Sequence, residues 1–140
     1  MNEVEQLAAW LYSEGIIAPW VDGQGNTQPA PILQTRWLEE TAVPSNERIL
    51  LIRNSSAGGG DRFVTSPTIT FAVLGTTTDA AVFPEFYANL IYNKLLEYTS
   101  GSAILAIDPL GKVNGPYKME SGRFAYDMEF TVLFESGLYL

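Results

Sequence analysis

The chain predicts an α+β fold, an antiparallel β-sheet with two α-helices packed on one face, in a single domain. Three features carry that prediction. Near the C-terminus a long strand alternates strictly: Phe124, Tyr126, Met128, Phe130, Val132 and Phe134 share one face, and Ala125, Asp127, Glu129, Thr131 and Leu133 the other. So many large apolar side chains on one sheet face need a covering layer. Two segments with apolar residues at helical spacing supply it. Between them, residues 49–75 hold two strand-like runs around a glycine-rich gap.

In chain order, residues 2–14 read as the first helix. Asn2 can cap it, Glu3 and Glu5 suit its positive end, and Val4, Leu7, Ala8 and Leu11 form its apolar stripe. Gly15 suits the left-handed residue that ends it. Trp10 and Tyr12 lie off the stripe, and either widen the buried face or meet a neighbouring subunit. Residues 15–47 read as an irregular excursion. Pro19, Pro29, Pro31 and Pro44 interrupt it, and Asp22-Gly23-Gln24-Gly25-Asn26 is turn material. A short strand over 16–21 is expected, then a strand or helix over 32–40 carrying Trp37 and Leu38. A stretch this long in a compact domain is usually functional or flexible. It stands here as a subunit-contact arm or a surface excursion.

The run Ile49-Leu50-Leu51-Ile52 is short enough for a buried strand, and residues 68–74 alternate as a half-buried one does. Asn54-Ser55-Ser56-Ala57-Gly58-Gly59-Gly60 has high backbone freedom and reads as a loose hairpin tip, flanked by Arg53, Asp61 and Arg62. Thr76 to Asp79 offer caps for the second helix, which Pro84 places from near Phe83 to Tyr98. Its stripe is Phe83, Tyr87, Leu90, Ile91, Leu95 and Tyr98. Ala103-Ile104-Leu105-Ala106-Ile107 reads as a strand, closed by Asp108-Pro109-Leu110-Gly111, and Asn114-Gly115-Pro116 as a turn before the last strand. Residues 136–140 end in Leu138, Tyr139 and Leu140, an apolar tail that either folds back onto its own core or, the reading preferred here, docks on another chain.

Composition narrows the function. The 140 residues carry 16 Asp and Glu against 8 Lys and Arg, a net charge of −8, which opposes any grip on nucleic-acid phosphates. There is no cysteine and no histidine, so disulfides, thiol catalysis, the usual zinc sites and the commonest general base are excluded within the chain. No apolar run approaches a membrane span and the start lacks a signal peptide's basic residues, so a soluble, cytoplasmically made protein is expected. Gly58-Gly59-Gly60-Asp61 fails as a phosphate loop, because no Gly-Lys-Ser/Thr comes after it. Asn54-Ser55-Ser56 matches a glycosylation sequon without a sign of secretion. Glu39 and Glu40 are adjacent and do not face each other. Asp127 and Glu129 share a strand face and could bind a cation, although a solvated outer face is the plainer reading. No catalytic, cofactor-binding or metal-ligating residue is expected.

The order Leu51-Ile52-Arg53-Asn54, a glycine-rich gap, Asp61-Arg62-Phe63-Val64, then Pro67-Thr68-Ile69-Thr70-Phe71 is succeeded by a helix. Gly122-Arg123-Phe124 then leads into the closing strand. Over residues 48–135 this pattern resembles the tail terminator (minor tail) proteins of long-tailed bacteriophages. The resemblance implies a sheet with helices on one side and a homo-hexameric ring that caps the tail tube. The ring would end tube polymerisation and offer a head-joining surface. Its partners would be its own copies, the tail-tube protein and a head-completion or connector protein, with DNA passing through unbound. Its place would be the head-proximal end of the virion tail, after assembly in the host cytoplasm. By position, the interface residues would be Arg53, Asn54, Gly58, Gly59, Gly60, Asp61, Arg62, Arg123, Leu138 and Tyr139, with Asp127 and Glu129 facing the lumen. Alternatives are another head–tail connector or a tail-tube protein and, more distantly, a carboxylate-based enzyme or a small-molecule binding module.

Overall fold

The computed structural model describes residues 2–55, 64–99 and 103–135, and the main chain of 59–60. Asn2 caps α1 (Glu3–Ser13), its Oδ1 accepting the Glu5 amide at 2.8 Å. Val4, Leu7, Ala8 and Leu11 are buried, as their spacing requires. Gly15, at φ +73°, ends the helix: its N–H donates to Tyr12 O and that of Ile16 to Leu11 O, the paired bonds of a Schellman end. Trp10 widens the buried face and meets Tyr98 edge-on at 5.0 Å, while Tyr12 is exposed.

Residues 15–47 are more ordered than their prolines suggest. β1 (Trp20–Val21) and β2 (Thr27–Gln28) form a small antiparallel ribbon closed by the Asp22 to Gly25 turn. The strand expected over 16–21 is confined to its last two residues, since Pro19 has no amide to offer a ladder. β3 (Ile32–Gln34) lies parallel to β4 (Ile49–Asn54), and a single 3-10 turn comes next at Glu40–Ala42. The element expected over 32–40 is thus a strand for three residues, and the sheet is mixed.

β5 (Gly59–Gly60) pairs with β6 (Val64–Ser66), and β7 (Thr68–Leu74) pairs with β4 from Ile49↔Leu74 to Asn54↔Ile69. The central hairpin therefore exists and is longer than expected. Gly59 and Gly60, assigned to a loose tip, contribute ladder pairs, because a glycine main chain can pair like any other. After α2 (Val82–Leu96) come β8 (Ile104–Pro109), β9 (Asn114–Lys118) and β10 (Phe124–Glu135). β9 occupies the place of the expected turn. Its Gly115, at φ +140°, runs against β10 so closely that a Cβ would stand 2.6 Å from the Tyr126 ring and 2.8 Å from Ala125 O. Glycine here serves strand contact in place of reversal.

β10 is the spine of the sheet. It pairs with β7 on one side and with β8 and β9 on the other, and its end meets β6. The order across is β3, β4, β7, β10, then β8 and β9. Both helices cover the face bearing Leu50, Ile52, Ile69, Phe71, Val73, Met128, Phe130, Val132 and Phe134, which form one core with Leu7, Leu11, Tyr87, Ile91 and Leu95. Each such large side chain contributes about 1.5–3 kcal/mol on burial. Among the described residues the reverse face is covered at one end. There Val43 and Leu38, from the excursion, and Met119 pack on Ile49, Leu74, Ala125 and Ala72.

Candidate functional site

Gly122-Arg123-Phe124 opens β10, and Arg123 sits there with 1% of its surface exposed. Its Nη1 donates to Glu47 O at 2.6 Å and Gly75 O at 2.8 Å, and its Nη2 to Pro44 O at 3.0 Å. Its Nε lies 3.6 Å from Glu40 Oε1, which also accepts from Ser121 Oγ at 2.6 Å. A planar guanidinium with five donors suits this convergence of carbonyls, where lysine would not. Arg123 is consequently spent within its own chain, stapling residues 43–47 and 75 to the start of β10. Its position beside a strand start suggests an interface cation; the structure corrects this, leaving almost none of it on the surface.

A second buried cation has no counterpart among the residues singled out from sequence. Arg48, just before the apolar run of β4, donates Nε to Asp79 Oδ2 at 2.7 Å, Nη2 to Asp79 Oδ1 at 3.0 Å and Nη1 to Gln28 Oε1 at 2.8 Å. Its guanidinium carbon lies over the rings of Trp20 and Phe83, 5.4 and 5.5 Å from their centroids. Asp79 also accepts the Thr76 amide. Gln28 passes the network on, donating to Asp22 Oδ2 at 2.8 Å, while Asp22 Oδ1 accepts the amides of Gln24 and Asn26. Burial alone would raise the Asp22 carboxyl, but these hydrogen bonds and the Arg48 charge outweigh it and hold it below the ordinary value. The network fastens the β1–β2 ribbon to the head of α2. A charge directly before an unbroken apolar strand was the available signal: it must either leave the core or find a partner. Two buried phenols are also tied down. Tyr87 donates to Ile16 O and is pushed up by burial. Tyr126 is pushed up to about 12 by burial and by its bond to Glu85 Oε2.

The helix-free face and the sheet edges carry further polar residues. Register places Arg53, Thr70 and Glu129 in one row across β4, β7 and β10, and Thr68, Thr131 and Asp108 in the next, across β7, β10 and β8. Arg53, Asp108 and Glu129 are exposed, and Asp127 is half-buried beside Ala72 and Asn114. The structure thus puts Asp127 and Glu129 on one face, as their parity required, and Arg53 on that same face at the far strand. Asn54 is exposed at the end of β4. Gly58, Asp61, Arg62, Leu138 and Tyr139 lie outside the described residues. A shallow groove of about 420 Å³ runs between the first turn of α1 and the ends of β3 and β4, with Arg36 and Arg53 in its wall. Next to it Trp37, 57% exposed, donates its indole N–H to Glu39. Among the described residues no three acidic side chains gather to hold a metal ion.

The fold and these sites define an α+β domain whose buried charges hold its own loops, with a polar, partly covered sheet face opposite its helices. A comparison with curated proteins finds no match. The family model for phage tail termination proteins matches residues 2–136, nearly the whole chain, and the protein belongs to that family, a structural one of the bacteriophage tail.

Proposed function

We propose that six copies of this chain form a ring that caps the tail tube, ends its growth and presents the joining surface for the head. Family membership supports the terminating role. The single structural observation in favour is the division of the sheet. Among the described residues one face is occupied by α1 and α2, and the other keeps a polar area of half-buried Thr68, Thr70, Thr131 and Asp127 with exposed Glu129. In a ring this polar face lines the channel. Each copy carries a net charge of −8, and like charge at the channel wall keeps passing DNA from adhering. Arg53 and Asn54, at the end of the central hairpin, and the excursion over 15–47 supply contacts to neighbours and to the tube, and the tail over 136–140 docks on an adjoining chain. The ring sits at the head-proximal end of the tail, with a head-completion protein above it.

The test adds purified chain to polymerising tail-tube protein. Tubes should stop at lengths that shorten as the chain is increased, with extra density at one end only. Tubes of unaltered length at saturating chain would refute capping.

A further inference from the structure

We infer that neighbouring copies join head-to-tail, an arrangement that rests on the ring proposed above. The β3–β4 edge of one, through Arg36, Trp37 and Arg53, seats against the β8 edge of the next, through Asp108 and Leu110. The two edges are opposite sides of one sheet, four strand spacings apart, or about 19 Å. They differ in chemistry as two halves of a contact do. Arg36 and Arg53 border one groove and have no ion pair among the described residues. Lys94, Arg48 and Arg123, by contrast, are each paired within the chain, while Lys112 and Lys118, beyond the end of β8, also have no ion pair among the described residues. Asp108 on the far edge is exposed on the same face as Arg53 and likewise has no ion pair among the described residues. Each edge adds a large apolar group in the open, Trp37 at 57% and Leu110 at 56%. Arginine and tryptophan are the side chains that anchor interfaces.

Glu3 and Glu5 also border the groove, but α1 packs on the opposite sheet face from Arg53, and Glu5 accepts the Asn2 side-chain amide. Unlike edges meeting make a heterologous contact, which generates a closed ring when the rotation per copy closes. It also extends the polar face, with Glu129 behind Asp108, from each copy to the next.

The full chain has no cysteine, so cross-linking reads this contact directly. A chain carrying both Arg36→Cys and Asp108→Cys, treated with a short bismaleimide at high concentration and on tail tubes, should give a ladder of covalent multimers. Either substitution alone should give none above random encounter, because like edges do not meet. Dimers from Arg36→Cys alone would overturn the head-to-tail joint. So would the absence of a ladder where unmodified chain forms multimers. Unmodified chain that forms no multimer, free or on tubes, would overturn the ring reading itself. Charge reversal checks the same joint without cysteines. Arg53→Glu and Asp108→Lys should each weaken association about threefold to fivefold, the range of an exposed pair, and the two together should restore it. A combined variant as weak as the product of the single losses would reject the pairing.

Discussion

Replacing Arg123 with methionine should be among the most damaging single changes outside the apolar core. Three carbonyls, of Glu47, Gly75 and Pro44, lose bonds of 2.6, 2.8 and 3.0 Å to a buried cation. A hydrogen bond to a charged group contributes about 1.5–3 kcal/mol, and losses in one network are not additive. Glu40 also loses its cationic neighbour at 3.6 Å. The combined loss comes to about 3–5 kcal/mol, against a total stability of about 5–15 kcal/mol for a domain. With a urea slope of about 2 kcal/mol/M, the midpoint should fall by about 2 M. Urea unfolding monitored by the fluorescence of buried Trp20 reads this. Arg123→Lys should recover under half of the loss, because an ammonium cannot reproduce the fork. Hydrogen exchange gives a local check. The Thr77 amide, bonded to Ser45 O, and the Gly75 amide, bonded to Phe124 O, should lose protection before the amides of β7 do. A methionine variant within about 1 kcal/mol of wild type would refute the stapling role.

The same physical reasoning extends to the other buried groups. Arg48→Leu or Asp79→Leu alone strands a buried charge and should cost about 3–5 kcal/mol, while the double replacement should recover much of it; two losses that simply add in thermal unfolding would deny the coupling. Asp22 is depressed below its ordinary 3.8, so its contribution is complete above that value and is lost as pH falls through the folded value. An Asp22→Asn variant should therefore be less stable at neutral pH and lose part of the wild type's acid sensitivity; identical slopes of stability against pH on the acid side of 3.8 would contradict this. Gly115→Ala should cost about 2–3 kcal/mol, because its methyl meets Tyr126 and Ala125 O. Gly25→Ala, left-handed but in open space, should cost only about 1 kcal/mol by the same melts. The Tyr126 phenol should titrate near 12 in an ultraviolet pH titration, and Glu85→Gln should lower it.

The elements with a strong period were legible in the sequence. The alternation of β10 determined both which face meets the helices and where Asp127 and Glu129 stand, because a strand's parity leaves one choice. The stripe of α1, its Asn2 cap and its Gly15 end were equally readable, since each rests on neighbours within a turn of helix. The excursion was not. Whether residues 32–34 form a strand depends on β4 accepting a parallel neighbour, a contact remote in sequence. Arg123 is misplaced by sequence for the same reason. Beside a glycine at a strand's start it looks like a surface cation, and only the fold brings the carbonyls of Glu47, Gly75 and Pro44 around it. Gly115 reads as turn material by composition, whereas in the fold it answers to close approach by β10.

The central claim, that this chain ends tail-tube growth, is tested most directly by tail length. Lysates of phage in which its gene is disabled should contain overlong tails without heads when viewed by electron microscopy. Tails of normal length beside unjoined heads would contradict the terminating role.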